Sequence, residues 1–199
     1  MSDLPEVVSE QVEKAGESRL NSWVALTVAI SATLMALGNV KDGNIVQAMA
    51  QAQANTVDQW SYYQAKGTKQ NLAEATADQL TIQRDLTSAS APDARQLLDR
   101  KIAEYQDKAK LYEREKGEIK KVAEGLQAEY DRLNYRDDQF DIADACLTLC
   151  MSLMGIAALT KKRWLFGFGA ALALLGIAFE VSAFLGWQLH PDFIAKLLS

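Results

Sequence analysis

FDIADACLTLCMSLMGIAALT (residues 140–160), KKR (161–163) and WLFGFGAALALLGIAFEVSAFLGW (164–187) decide the fold class. Residues 145–160 and 164–179 contain no Asp, Glu, Lys or Arg. Each run is about as long as a helix that crosses a hydrocarbon core, roughly 20 residues. A third run, SWVALTVAISATLMALGNV (22–40), is also free of charge. Transmembrane helices are therefore expected at 22–40, 140–160 and 164–187. Trp23, Trp164 and Trp187 fall at span ends, where amphipathic indoles prefer to sit.

Two flanks orient these spans. The tail at 1–21 is acidic, with Asp3, Glu6, Glu10, Glu13 and Glu17. A cleaved signal peptide wants a basic region there, so the first span reads as an uncleaved anchor. The short basic loop at 161–163 is expected on the cytoplasmic side. Parity then places the N-terminus inside, and segment 41–139 and the C-terminal tail 188–199 outside.

The whole-chain averages hide this pattern. The 199 residues carry a net charge of -5. Mean hydropathy is -0.12, the average of three greasy blocks and one polar block. That block, 41–139, holds 15 Lys/Arg and 17 Asp/Glu. No basic excess marks a nucleic-acid binder. One histidine and two cysteines leave little for a structural zinc site. Three prolines and 11 glycines argue against a turn-rich β protein.

From Leu98 the polar block repeats in steps of four and three. The series is Leu98, Ile102, Tyr105, Ala109, Tyr112, Lys116, Ile119, Ala123, Leu126, Tyr130, Leu133, Asp137, Phe140. This is the 3.5-residue seam of a coiled coil. Glu113, Arg114, Glu115, Glu118 and Lys120 lie between seam positions and are expected on a solvated face. The upstream arm, 44–87, is rich in helix-favouring Ala and Gln. Its partial stripe is Leu72, Ala75, Ile82 and Leu86. A tip at 88–92 separates the arms, with Ser90 and Asp93 at capping-box spacing. Arms of such length, at 1.5 Å per residue, reach roughly 60–65 Å. The fold expected is an all-α membrane protein with three transmembrane helices and a long antiparallel, coiled-coil-like hairpin.

The most distinctive local feature is Trp60-Ser61-Tyr62-Tyr63-Gln64-Ala65-Lys66-Gly67-Thr68-Lys69-Gln70. In a hairpin folded about residue 90 it lies opposite roughly 110–120, near Tyr112 and Ile119. Two readings stand: an aromatic plug between arms, or a partner-binding or self-association patch. The glycine lacks the flanks of a phosphate loop. The stretch resembles the W-x-Y-YQAK-x-x-K-Q signature of a bacterial membrane-protein family, domain-of-unknown-function 4337. The end of the first span, the charged helical middle and the two C-terminal spans share the resemblance. It implies a bacterial inner (plasma) membrane and lends weight to Trp60, Tyr63, Gln64, Lys66, Lys69 and Gln70. It implies no activity, cofactor or catalytic residue.

Three acids bear on the spans. Glu180 lies inside the third, where an unpaired carboxylate costs a few kcal/mol. Asp141 and Asp144 share a face at the start of the second. Either they form an ion or proton path, or Asp141 and Asp144 are an interfacial pair and Glu180 is protonated or hydrogen-bonded, with Ser182 or Asn39 nearby. A path requires an oligomer, because three spans enclose no pore. Cys146 and Cys150 share a helical face with Met151 and Met154 and read as apolar filler rather than metal ligands. Small residues four apart (Ala25/Ala29, Ala32/Ala36, Gly167/Ala171, Gly169/Ala173) suit close helix packing in lipid. His190, the single histidine, offers no catalytic set. The function expected is a non-enzymatic scaffold or assembly subunit that forms a homo-oligomer in the lipid bilayer. Another envelope protein is an alternative partner; nucleic acid, metal and cofactors are not expected. The alternative function is an oligomeric channel or transporter component using Glu180.

Overall fold

The computed structural model describes the backbone of residues 4–187 and the side chains of residues 19–187. His190 and the tail at 188–199 lie outside the described residues, as do the side chains of the acidic tail before residue 19. Every regular element among the described residues is an α-helix: α1 (Leu4–Leu86), α2 (Pro92–Thr160) and α3 (Arg163–Leu185). All three are long and apolar enough to cross a membrane. The chain divides into two units, Met1–Ala48 with Arg132–Ser199, and Met49–Asp131.

In the first unit, α3 turns a row of small residues inward against larger side chains of α2. The inner row of α3 is Gly169, Ala173, Gly176, Glu180 and Ala183, all buried. It meets Phe140, Ala143, Leu147, Cys150, Met154 and Ala157 on α2, all buried as well. A Cβ at Gly176 would lie 2.9 Å from Leu147 Cγ and 3.1 Å from the Ala143 carbonyl oxygen. Only glycine lets the two backbones approach so closely. At the other end, Leu20 and Val24 of α1 close a cluster with Cys150, Met154 and Ala173. Both cysteines are free thiols, Cys150 buried in that cluster and Cys146 half-buried. Of the four small-residue pairs, only Gly169/Ala173 is buried; the other three lie on the outer surface. Leu26, Ile30, Leu37, Leu149, Leu159, Phe168 and Leu174 are exposed beside them.

α3 ends in a Schellman cap. Gly186 is left-handed at φ 70°, and the Trp187 N–H donates to the Ser182 carbonyl at 2.9 Å. Two side chains of α2 hold this end. Arg136 donates twice to the Ala183 carbonyl, at 3.1 and 2.9 Å. Gln139 donates to the Trp187 carbonyl at 2.8 Å.

In the second unit the α2 seam is as expected. Its members from Leu98 to Tyr130 are all buried or half-buried. Between them every residue is exposed except Lys108 and Glu115. Glu115 departs from the solvated face assigned to it, because Lys66 of α1 reaches across to pair with it. The seam of α1 is a different set from the one expected. It runs Met49, Ala52, Thr56, Gln59, Tyr63, Lys66, Gln70, Ala73, Ala77, Leu80, Arg84 and Thr87, in unbroken steps of three and four. Leu72, Ala75, Ile82 and Leu86 are exposed on another face. The hydropathy of α1 misleads because its buried positions hold small and polar residues, which pair with the large residues of α2.

The turn spans 87–91. Pro92 takes the first helical position of α2, where its missing N–H costs nothing. That puts Ala91, not Ser90, at the N-cap, with its carbonyl accepting from Arg95 N–H. The expected Ser90–Asp93 capping box is therefore not formed. The Ser90 hydroxyl instead contacts the Ser88 hydroxyl at 2.7 Å.

Candidate functional site

One polar cavity lies between the three helices of the first unit. It has a volume of about 50 Å³, room for a water or two. Gly38, Asn39 and Asp42 of α1 line it, with Asp141 and Asp144 of α2 and Glu180 of α3. Phe140 closes one side, its ring edge-to-face on Phe184 at 5.3 Å. Glu180 is only 2 % exposed. Neither of its carboxylate oxygens has a hydrogen-bond partner, nor does Oδ1 of Asp42 or of Asp144. A Cβ at position 38 would come within 2.9 Å of Glu180 Oε1. Gly38 thus leaves the room in which this carboxylate sits.

The local reasons are simple. On α2, Asp137, Asp141 and Asp144 recur at steps of four and three, so one helical face carries all three. On α3, Glu180 continues the row of Gly169, Ala173 and Gly176 and must point inward. On α1, Gly38 and Asp42 are four apart and stack on one side. The cavity gathers carboxylates without a cation among its lining residues. Among the described residues, no group of three or more His, Cys, Asp or Glu is placed to hold a metal ion. A space of this size and lining can take a water or two and a proton on one of its carboxylates.

Asp42 and Asp137 form the outer part of this acidic set. Asp137 is pushed up to about 6, first by burial, then by its hydrogen bond to Asp42, then by the charges of Asp42 and Asp138. Asp42 is also raised, chiefly by burial, with the charges of Asp141 and Asp144 adding to it. The two carboxyls thus lie close enough to couple, and Asp42 further disfavours the charged form of Asp137. A carboxyl whose folded pKa is raised stabilises the fold only while protonated. Stability is expected to fall as pH rises from 3.8 to about 6, and to stay flat above. Asp137→Asn should remove that slope and gain about 1 kcal/mol at pH 7.5, a figure reduced for partial exposure. Thermal melts of both proteins in detergent from pH 4 to 8 check it; parallel curves would contradict the raised Asp137 carboxyl.

The second candidate, Trp60 to Gln70, lies in the second unit. Helix geometry splits it in two. Tyr63, Lys66 and Gln70 face α2. Lys66 pairs with Glu115 and lies 5.3 Å from the Tyr112 ring. Lys116 answers, donating to Gln70 at 3.2 Å and lying 5.1 Å from the Tyr63 ring. Trp60 sits edge-on to Tyr63 at 5.5 Å. Tyr62, Gln64 and Lys69 are exposed. The inner half thus packs against α2 near Tyr112, and the outer half is exposed.

Sequence reasoning found Asp141, Asp144 and Glu180 but not Gly38, Asp42 or Asp137 as members of one acidic set. The missed signal was the glycine and acid at the end of the first charge-free run, four apart. No curated protein and no solved structure matches the chain. Residues 20–186 match the family model described as domain of unknown function (DUF4337). That match spans most of the molecule, both candidate sites included, and the chain belongs to the DUF4337 family.

Proposed function

We propose that the protein is a multi-pass subunit of a bacterial inner membrane, non-enzymatic, that self-associates and scaffolds an assembly. Its arms act as an antiparallel, coiled-coil-like hairpin on the outer side, with the N-terminus in the cytoplasm. The observation that carries this reading is the inverted polarity of the first unit. Leu26, Ile30, Leu37, Leu159, Phe168 and Leu174 are exposed while Glu180 is buried. In water such a surface is a liability; in lipid it is the natural outer face. Side-chain networks such as Lys66–Glu115 and Lys116–Gln70 suit a rigid stalk rather than a catalytic pocket.

The test is fractionation with topology mapping. The protein should resist alkaline carbonate, leave the membrane only with detergent, and migrate as an oligomer in nanodiscs. Cysteine at Ser90 should label with an impermeant maleimide in intact cells. Carbonate release, or labelling only after lysis, would overturn the reading. The acidic cavity favours a second reading, an oligomeric channel or transporter component. It requires ion or proton flux in proteoliposomes that Glu180→Gln abolishes.

A further inference from the structure

The outer face of the α1 arm bears a line of eleven residues. They are Ala50, Ala54, Val57, Ser61, Ala65, Thr68, Leu72, Ala75, Gln79, Ile82 and Leu86. Every one is exposed, and none is charged. Val57 is 60 % exposed, Leu72 67 %, Ile82 62 % and Leu86 82 %. Mean spacing is about 3.6 residues, so the line runs straight along one side of the helix. The outer face of the α2 arm is the opposite in character, with Lys101, Glu104, Lys110, Glu113, Arg114 and Glu118 exposed. Charges such as Asp58, Glu74 and Asp85 lie beside the line on α1 but not on it.

We infer that this face of α1 is the contact between copies of the chain, pairing in parallel and in register. The inference rests on the self-association proposed above and assigns its surface. Three features select a second copy. First, copies inserted in one bilayer with one topology run their α1 arms in the same sense, which makes the pairing parallel. Second, the line meets itself without opposing charges.

Third, the flanks suit a parallel coiled coil. From Ser61 to Leu86 the line follows steps of four and three, so Gln64, Asn71 and Asp78 fall at g positions and Lys69, Thr76 and Gln83 at e positions. In a parallel pair each g residue meets the e residue five places on in its partner. Those pairs are Gln64 with Lys69, Asn71 with Thr76, and Asp78 with Gln83. Each joins hydrogen-bonding groups and none joins like charges. Gln64 and Lys69, the exposed half of the Trp60–Gln70 motif, thereby acquire a role across the interface. The line is about 54 Å long at 1.5 Å per residue and about 10 Å wide. Two copies would bury about 1,100 Å², at the lower end of specific interfaces. The spans must add to it or hold the copies close.

Full-length protein in nanodiscs tests this with a short bismaleimide. Ala75→Cys and Thr68→Cys, on the line, should give crosslinked dimers. Glu113→Cys, on the charged face, and the wild type, with Cys146 and Cys150 alone, should not. Adding Leu72→Glu and Ile82→Glu to Ala75→Cys should cut the dimer at least tenfold while helical content holds. These are exposed positions, so the fold survives the charges. Crosslinking at Glu113→Cys but not at Ala75→Cys, in an oligomer, would overturn this surface and leave self-association standing. A monomer throughout would overturn both. The same crosslinking in intact cells, if it joined Ala75→Cys only to another protein, would overturn the second copy as occupant.

Discussion

Gly176→Ala should destabilise the first unit by about 1–3 kcal/mol, the cost of forcing an extra methyl into a filled contact. The new Cβ meets Leu147 Cγ at 2.9 Å and the Ala143 carbonyl oxygen at 3.1 Å. A backbone oxygen cannot rotate away, so α2 and α3 must part. Leu147→Ala should cost about 2 kcal/mol, the low end for such a truncation. In lipid the transfer gain is absent and packing alone is lost. The two changes should couple by at least about 0.5 kcal/mol, because removing Leu147 Cγ relieves the nearer of the two clashes. Unfolding in mixed micelles measures all three proteins. A neutral Gly176→Ala would refute the close helix approach.

Ile102→Ala should cost about 2–4 kcal/mol, because a residue only 7 % exposed leaves a cavity in a water-solvated seam. Glu113→Ala, exposed on the same arm, should stay within about 0.5 kcal/mol. Leu72→Ala in a monomeric preparation sharpens the comparison. By hydropathy it is a core residue, yet it is 67 % exposed and should also stay within about 0.5 kcal/mol. Circular-dichroism melts of the full chain rank the three. If Leu72→Ala melts like Ile102→Ala, the α1 face has been assigned wrongly.

The candidate sites were legible to different depths. Glu180 stood out because an acid within an apolar run is expensive, and Asp141 and Asp144 because they lie near the start of another. Asn39 was legible as a neighbour of Glu180, but the meeting with Asp42 and Gly38 was not. It depends on the register of α1 against α2 and α3, which no local pattern encodes. The motif from Trp60 to Gln70 was legible as a cluster but not as two halves. The division follows from which face of α1 meets Tyr112 and Glu115.

By itself the sequence determined the helical character of spans and arms, though not that span and arm form one continuous helix in α1 and again in α2. Charge-free runs of span length, the tip with Pro92 and the 3.5-residue seam from Leu98 to Tyr130 are local signals. Each acts within one helix through hydropathy, backbone restriction or period. Only the tertiary structure decided which side of α1 faces inward. Its inward row in the second unit holds buried Ala52 and Thr56 and half-buried Gln59, Lys66 and Gln70, while Leu72, Ile82 and Leu86 lie outside. The reason is steric and electrostatic. The α2 seam presents Tyr105, Tyr112, Ile119 and Leu126, and small or hydrogen-bonding residues fit opposite these where further large apolar ones would crowd. Burial here follows size complementarity and pairing with Glu115 and Lys116, quantities that belong to two helices together and to neither alone.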